Sequence, residues 1–421
     1  MRIKVFISVL SYPFDSSTGY YLDILISIKN FIKKYTTMKT IYPGILTAWL
    51  LSLAIGCSNN QQKDTSETGT DSLAREAGLP KELFGKMSDG TEIFQYTLDN
   101  GNMEVKIINY GGLITSLRVP DRDGQLGDVI LGFDHLEEYF KGAHFGPIIG
   151  RYSGFIDKGR FTIDGTEYEL ATNAGDRHLH GGKEGFQKKV WEHEEVQVEG
   201  KPALQLQYTS QDGEEGYPGT VTVTVTYSLS DQNELKIGYQ ATTDKKTHVN
   251  LTQHCYLNLS AGKVDNILGH ELTIFTDKYA VVDDRLICTG ELKDVAGTPL
   301  DFTKPTAIGT LIGDMPGGYD NNYPVTIPED GSPVLAASVY EPESGRVMEM
   351  YTTRTGFEFA SANWLNGTVV GKGNVSYTSQ YGFLLYPQNL PDTPNRPEFP
   401  SSLLSPGEKY DQTTIYKFST R

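Results

Sequence analysis

From residue 80 onward the dominant pattern along the chain is a period of two. The run TVTVTVTYSL places Val221, Val223, Val225, Tyr227 and Leu229 on one face and threonines with Ser228 on the other. ALQLQY (203–208), EVKIINY (104–110) and ELTIFT (271–276) alternate in the same way. Turn signals separate these runs: Asp123-Gly124, Asp164-Gly165, Asp212-Gly213, Pro218-Gly219 and Asp330-Gly331. Helical spacing is scarce, and HLEEYFKG (135–142) is its best, short candidate. Many strands, frequent turns and no alternation of strand with helix predict an all-β chain, a large antiparallel β-sandwich. No internal repeat and no composition break follows residue 80, so 80–421 reads as one domain.

The N-terminal segment is of another kind. Met38-Lys39-Thr40 precedes the apolar run IYPGILTAWLLSLAIG and then Cys57. That run is short for a bilayer span and has the proportions of a signal peptide. LAIGC resembles a bacterial lipobox, which makes 38–57 a lipoprotein signal peptide with Cys57 as the acylated residue. A diacylglycerol thioether supplies two chains, enough for stable anchoring. The expected location is therefore the bacterial cell envelope, with the membrane met only through this lipid. Residues 1–37 then read as an upstream segment before the true start at Met38. Residues 58–79 are polar and aperiodic, a flexible tether.

Charge narrows the partners. The chain carries a formal −16, and its first 56 residues hold six Lys/Arg against two Asp, a surplus of four, which leaves −20 on the remainder. Such a surface repels phosphate backbones and argues against nucleic acid, while neutral small molecules are indifferent to it. A monomer is expected. Cys255 and Cys288 read as small buried hydrophobes.

Taken singly, the polar residues that alternation leaves unexplained identify nothing. His254 lies in a mostly apolar segment, where a histidine is more often a hydrogen-bonded core residue than a catalyst. Asp320 could be an ordinary turn aspartate. RHLHGG (177–182) offers His178 and His180 as half a zinc site, yet no third ligand stands at a recognisable spacing and neither HExxH nor a Cys pair occurs. No metal and no cofactor are expected. A G-x-S-x-G elbow, a phosphate-cradling loop and a dinucleotide fingerprint are also missing.

The order of motifs is more informative than any one of them. VILGFDHLEEY, FGPIIGRY, RHLHGG, DGEEGYPG, VNLTQHCYLNLSAG, GGYDNNY, ESGRVMEMYTT, PQNLPDTPN and LLSPGEKYDQTTIYKFS follow one another from residue 129 to 419. Together they resemble the aldose 1-epimerases, the galactose mutarotase family. The resemblance implies a β-sandwich with an open sugar groove, and an acid–base ring opening that interconverts the α and β anomers of a free aldose. It implies that His254, in N-L-T-x-H, is the acid. It also implies that His180, in L-H-G-G, binds the sugar near its ring oxygen, that the glycine pair lets the backbone pass close to the sugar, and that Asp320 holds sugar hydroxyls. His178 is then a bystander.

Three positions depart from the family pattern. Tyr386 in FLLYPQ stands where the family has its glutamate base, Phe155 in GRYSGFI where it has a substrate-binding arginine, and Glu358 in TGFEFASAN where it has a glutamine. A phenol near pKa 10 is a poor substitute for a carboxylate. The expectation is that the base has moved to Glu358, with Tyr386 a neighbouring hydrogen-bond donor and Phe155 an apolar face for the sugar. The competing reading is a sugar-binding lipoprotein that kept the groove and lost turnover.

Overall fold

The computed structural model describes residues 78–142 and 144–421. The expected signal segment, Cys57 and the tether through residue 77 lie outside the described residues.

The largest sheet has nine antiparallel strands. Their order is Glu192–Val198, Lys201–Ser210, Val221–Leu229, Glu234–Thr243, Tyr410–Thr420, Arg346–Thr352, Val334–Tyr340, Glu271–Ile274 and Thr306–Ala307. A five-stranded meander from Lys81–Lys86 to Leu126–Asp128 provides a second layer. Leu98, Val105 and Leu117 of the meander share one core with Leu204, Val223, Val225 and Tyr227 of the large sheet. The all-β sandwich that the alternation predicts is the fold observed.

Strand by strand, alternation translates into burial. In Val221–Leu229 every odd position is buried and every even one half-open, because successive side chains leave a strand on opposite faces. The pattern fails where the pairing slips. Ile107 and Ile108 are both buried, next to a register shift against Ile114–Pro120 that interrupts the alternation. The expected helix at 135–142 contracts to the single turn Leu136–Tyr139, which buries Leu136 and Tyr139. A segment this short, with Gly142 at positive φ just beyond it, cannot extend a helix that is costly to nucleate.

Turn chemistry is equally local. Arg160–Ile163 and Thr166–Glu169 pair through Asp164-Gly165, whose φ values of 50° and 81° form the two-residue turn that suits strand twist. Open space surrounds Gly165, so an added Cβ meets no neighbour and only the backbone conformation opposes it. Gly165→Ala is expected to cost about 1–2 kcal/mol, read as a lowered urea midpoint with an unchanged m-value.

Candidate active site

A four-stranded sheet carries the acidic part of the site. Its order is Tyr256–Leu257, Phe383–Gln388, Gly356–Ala360 and Asp320–Pro324. Asp320 opens the last strand, and register sets Asn322, Glu358 and Tyr386 directly opposite one another on three successive strands. Directly opposed residues have Cβ atoms about 5 Å apart on the same face.

The histidines arrive on loops. His254 lies between Thr252–Gln253 and Tyr256–Leu257; its N–H donates to the Pro147 carbonyl, and its carbonyl accepts from Gly146 N–H. His180 follows His178–Leu179, which pairs with Phe155–Ile156 so that Leu179 opposes Phe155. All six expected site residues, His254, Glu358, Tyr386, His180, Asp320 and Phe155, line one cavity of about 660 Å³.

Hydrogen bonds assign the tautomers. His254 Nδ1–H donates to the His144 carbonyl at 2.9 Å, which leaves Nε2 with a free lone pair. At His180 the arrangement is reversed: Gly154 N–H donates to Nδ1 at 3.2 Å, so Nε2 carries the proton and is a donor. The two rings meet edge to face with centroids 5.1 Å apart, and Tyr386 lies 4.8 Å from His254. His178 is spent on structure: its Nδ1–H donates to the Ala171 carbonyl and its Nε2 accepts from the Tyr217 hydroxyl. Among the described residues no group of three or more His, Cys, Asp or Glu is placed to hold a metal ion.

Burial sets the protonation states. Withdrawal from water, with His144 adding to it, lowers His254 to about 3, so its imidazole is neutral at ordinary pH. Burial and then the Asp320 charge push the Glu358 carboxyl well above the usual carboxylate range. Asp320 is raised as well, by burial, against the lowering effects of its hydrogen bond to Glu358 and of the Arg177 charge. Both carboxyls are therefore biased toward their protonated forms. Gln388 Nε2 donates to Glu358 Oε2 at 3.1 Å and to Asn322 Oδ1 at 3.0 Å, while its own oxygen accepts from the Ser153 hydroxyl. Tyr386, raised by burial and then by the Glu358 charge, stays a protonated phenol directly across the strand pair from that carboxyl.

Burial favours a neutral imidazole at His254 and a protonated carboxyl at Glu358, the reverse of the expected acid and base. One expectation is corrected. The glycine pair does not line the cavity. Gly181, at φ 79°, leaves room for the Gly150 carbonyl, which a Cβ would approach to 1.8 Å, and a Cβ on Gly182 would strike the Glu215 carboxylate. The pair docks the His180 turn onto the Gly150 backbone and the Glu215 side chain.

Sequence reasoning also missed residues. His144 lines the cavity with its ring 5.7 Å from His180 and 6.0 Å from His254, and it stands one residue before FGPIIGRY. Arg177, the first residue of RHLHGG, packs its guanidinium 4.2 Å from the centre of the Phe155 ring. A positive charge thus returns beside the position where the family pattern has one.

The fold is a β-sandwich whose cavity brings neutral histidines and a carboxyl pair together. Comparison with known proteins makes this specific. The aldose 1-epimerase family model matches residues 95–417. Galactose mutarotase of Homo sapiens is 42% identical over 346 residues, covering 82% of this chain and 99% of its own. Aldose 1-epimerase of Escherichia coli K12 is 36% identical over 328 residues, 76% of this chain and 93% of its own. Among solved structures, galactose 1-epimerase from Lactobacillus acidophilus NCFM superposes with a TM-score of 0.71 at 25% identity, over 81% of this chain and 98% of that one. The chain belongs to the aldose 1-epimerase family.

Proposed function

We propose that this chain interconverts the anomers of a free aldose, with His254 and Glu358 as its proton-transfer pair. The observation that carries the reading is the register Glu358↔Tyr386. A carboxyl lost at 386 and gained directly across the strand pair stays within the cavity that His254 lines. The comparisons support an epimerase family; the residue roles are our reading.

In this scheme His254 Nε2 takes the proton of the C1 hydroxyl while Glu358 gives its proton to the ring oxygen. The C1–ring-oxygen bond breaks as the C1 carbonyl forms. After rotation about C1–C2 the freed hydroxyl adds to the other face of the carbonyl. The imidazolium returns its proton to the C1 oxygen, and the Glu358 carboxylate recovers one from the attacking hydroxyl. Gln388 Nε2 donates to the carboxylate while it is charged. Each positioned proton transfer contributes about 10²–10⁴-fold. His180 Nε2–H and Asp320 hold the sugar's oxygens.

Hydrolysis of a glycosidic bond fits less well. It needs two carboxyls flanking the bond, about 5 Å apart or more, whereas Asp320 and Glu358 are hydrogen-bonded to each other. The test is exchange NMR or polarimetry on freshly dissolved pure anomers of hexoses, pentoses and 6-deoxy sugars. Equilibration faster than in buffer is expected for at least one of them. Binding with no acceleration on the whole panel would leave a sugar-binding protein instead.

A further inference from the structure

Among the described residues three arginines are buried: Arg151, Arg346 and Arg354. Each terminal nitrogen of Arg151 and Arg346 donates to a backbone carbonyl, and Arg346 also has Asp121 3.9 Å away. Arg354 differs. It is 6% exposed and sits in the turn between Arg346–Thr352 and Gly356–Ala360. Its Nη2 donates to Asn250 Oδ1 at 2.6 Å and to Asn389 Oδ1, and its guanidinium carbon lies 5.3 Å from the centre of the Tyr410 ring. Nε has no partner. Among the described residues no hydrogen bond leaves Nη1, and no carboxylate forms an ion pair with this guanidinium. A cation withdrawn from water is ordinarily paired or fully hydrogen-bonded, so one left half-satisfied calls for an explanation.

Arg354 lines a second cavity, of about 490 Å³, which shares no lining residue with the one at His254 and Glu358. We propose that this cavity is a binding site for a small organic monocarboxylate, held by the Arg354 guanidinium. The site is independent of anomer exchange. Two donors are available to the ligand: Nη1, and the Thr355 hydroxyl, which lines the cavity with no other hydrogen bond among the described residues. A carboxylate has two oxygens to match them, and its pairing with a guanidinium is among the strong hydrogen bonds. Leu403 and Leu404 offer apolar lining for the carbon end. The rim sets the charge. Lys409 faces Asp411 at 3.8 Å, and Glu408 Oε2 accepts from Ser405 N–H at 2.8 Å. These three are exposed, and with Arg354 their charges sum to zero. A phosphate would bring more oxygens than there are donors, and a second charge beside two acids.

The test titrates acetate, lactate and inorganic phosphate into the full chain by calorimetry at constant ionic strength, for the wild type, Arg354→Gln and Glu408→Gln. Saturable binding of acetate or lactate, tighter than that of phosphate, is expected. Arg354→Gln removes the charge and keeps an amide donor, and it should weaken that binding about tenfold or more. Glu408→Gln keeps the acceptor for Ser405 N–H and removes a rim charge, so it should tighten binding about threefold. No saturable binding of either carboxylate to the wild type overturns the site, as does an affinity unchanged in Arg354→Gln. Phosphate bound more tightly than both carboxylates overturns the carboxylate class. Should Arg354→Gln fail to fold, Glu408→Gln decides: tighter carboxylate binding supports the site, and unchanged affinity overturns it.

Discussion

Glu358→Gln is expected to slow anomer exchange by about 10²–10⁴-fold, the range a positioned acid–base group supplies, while leaving the fold intact. The substitution keeps shape and hydrogen-bonding capacity, and position 358 is open to the cavity rather than packed in the core. What it removes is the exchangeable carboxyl proton that burial favours on Glu358. The sharper form of the experiment adds a second change. Glu358→Gln also installs the family's own residue at this position, so Glu358→Gln with Tyr386→Glu re-creates the family arrangement across the same register pair. Because the two side chains face one another on adjacent strands, the double variant should recover at least tenfold of the lost rate. Unchanged exchange in Glu358→Gln, measured from pure anomers, would discard Glu358 as the proton donor. A double variant as slow as the single would show that the carboxyl cannot simply change strands.

How much of this was legible in the sequence follows from the range over which each signal acts. Alternation at Val221–Leu229 and the Asp164-Gly165 turn are decided by neighbouring residues, and both appear in the structure as the sequence implies. The departures at Tyr386 and Glu358 were visible against the family pattern, but the register that sets them opposite each other is a property of three strands drawn from positions 320 to 388. Protonation was less legible still. A histidine in a sequence carries no sign of its tautomer, and the assignment at 254 and 180 depends on one carbonyl from residue 144 and one N–H from residue 154. His144 gave no signal because nothing in its immediate sequence distinguishes it, and Arg177, though it opens RHLHGG, is marked there by nothing that points to Phe155. Each acquires its role from what the fold places beside it. The GG pair misled for the opposite reason: glycines beside a ligand-binding histidine suggest room for a ligand, whereas the room is taken by the Gly150 carbonyl.

The same buried histidines set the response to acid. Six of the eight are held neutral: His144, His178, His248 and His270 lowered by burial to about 4, His254 to about 3, and His180 well below its ordinary range. A group whose folded value is depressed contributes stability that is complete above its unfolded value, about 6.5, and lost as pH falls toward the folded one. At about 1.36 kcal/mol per unit, each histidine held at about 4 stands for about 3 kcal/mol once that descent is complete. Glu358, Asp320 and Asp392 act in the opposite sense, since their raised values favour the folded state as pH falls, and they offset part of the loss. The depressed histidines outnumber the raised carboxyls, so stability is expected to fall as pH drops from about 6.5 toward 4. Unfolding is therefore expected between pH 6.5 and 4, before His254 titrates in the folded state. Near-ultraviolet circular dichroism and anomer exchange should then decline together. Exchange lost near pH 6 with the tertiary signal unchanged would mean that His254 titrates close to its ordinary value, and the neutral-imidazole scheme would fall with it.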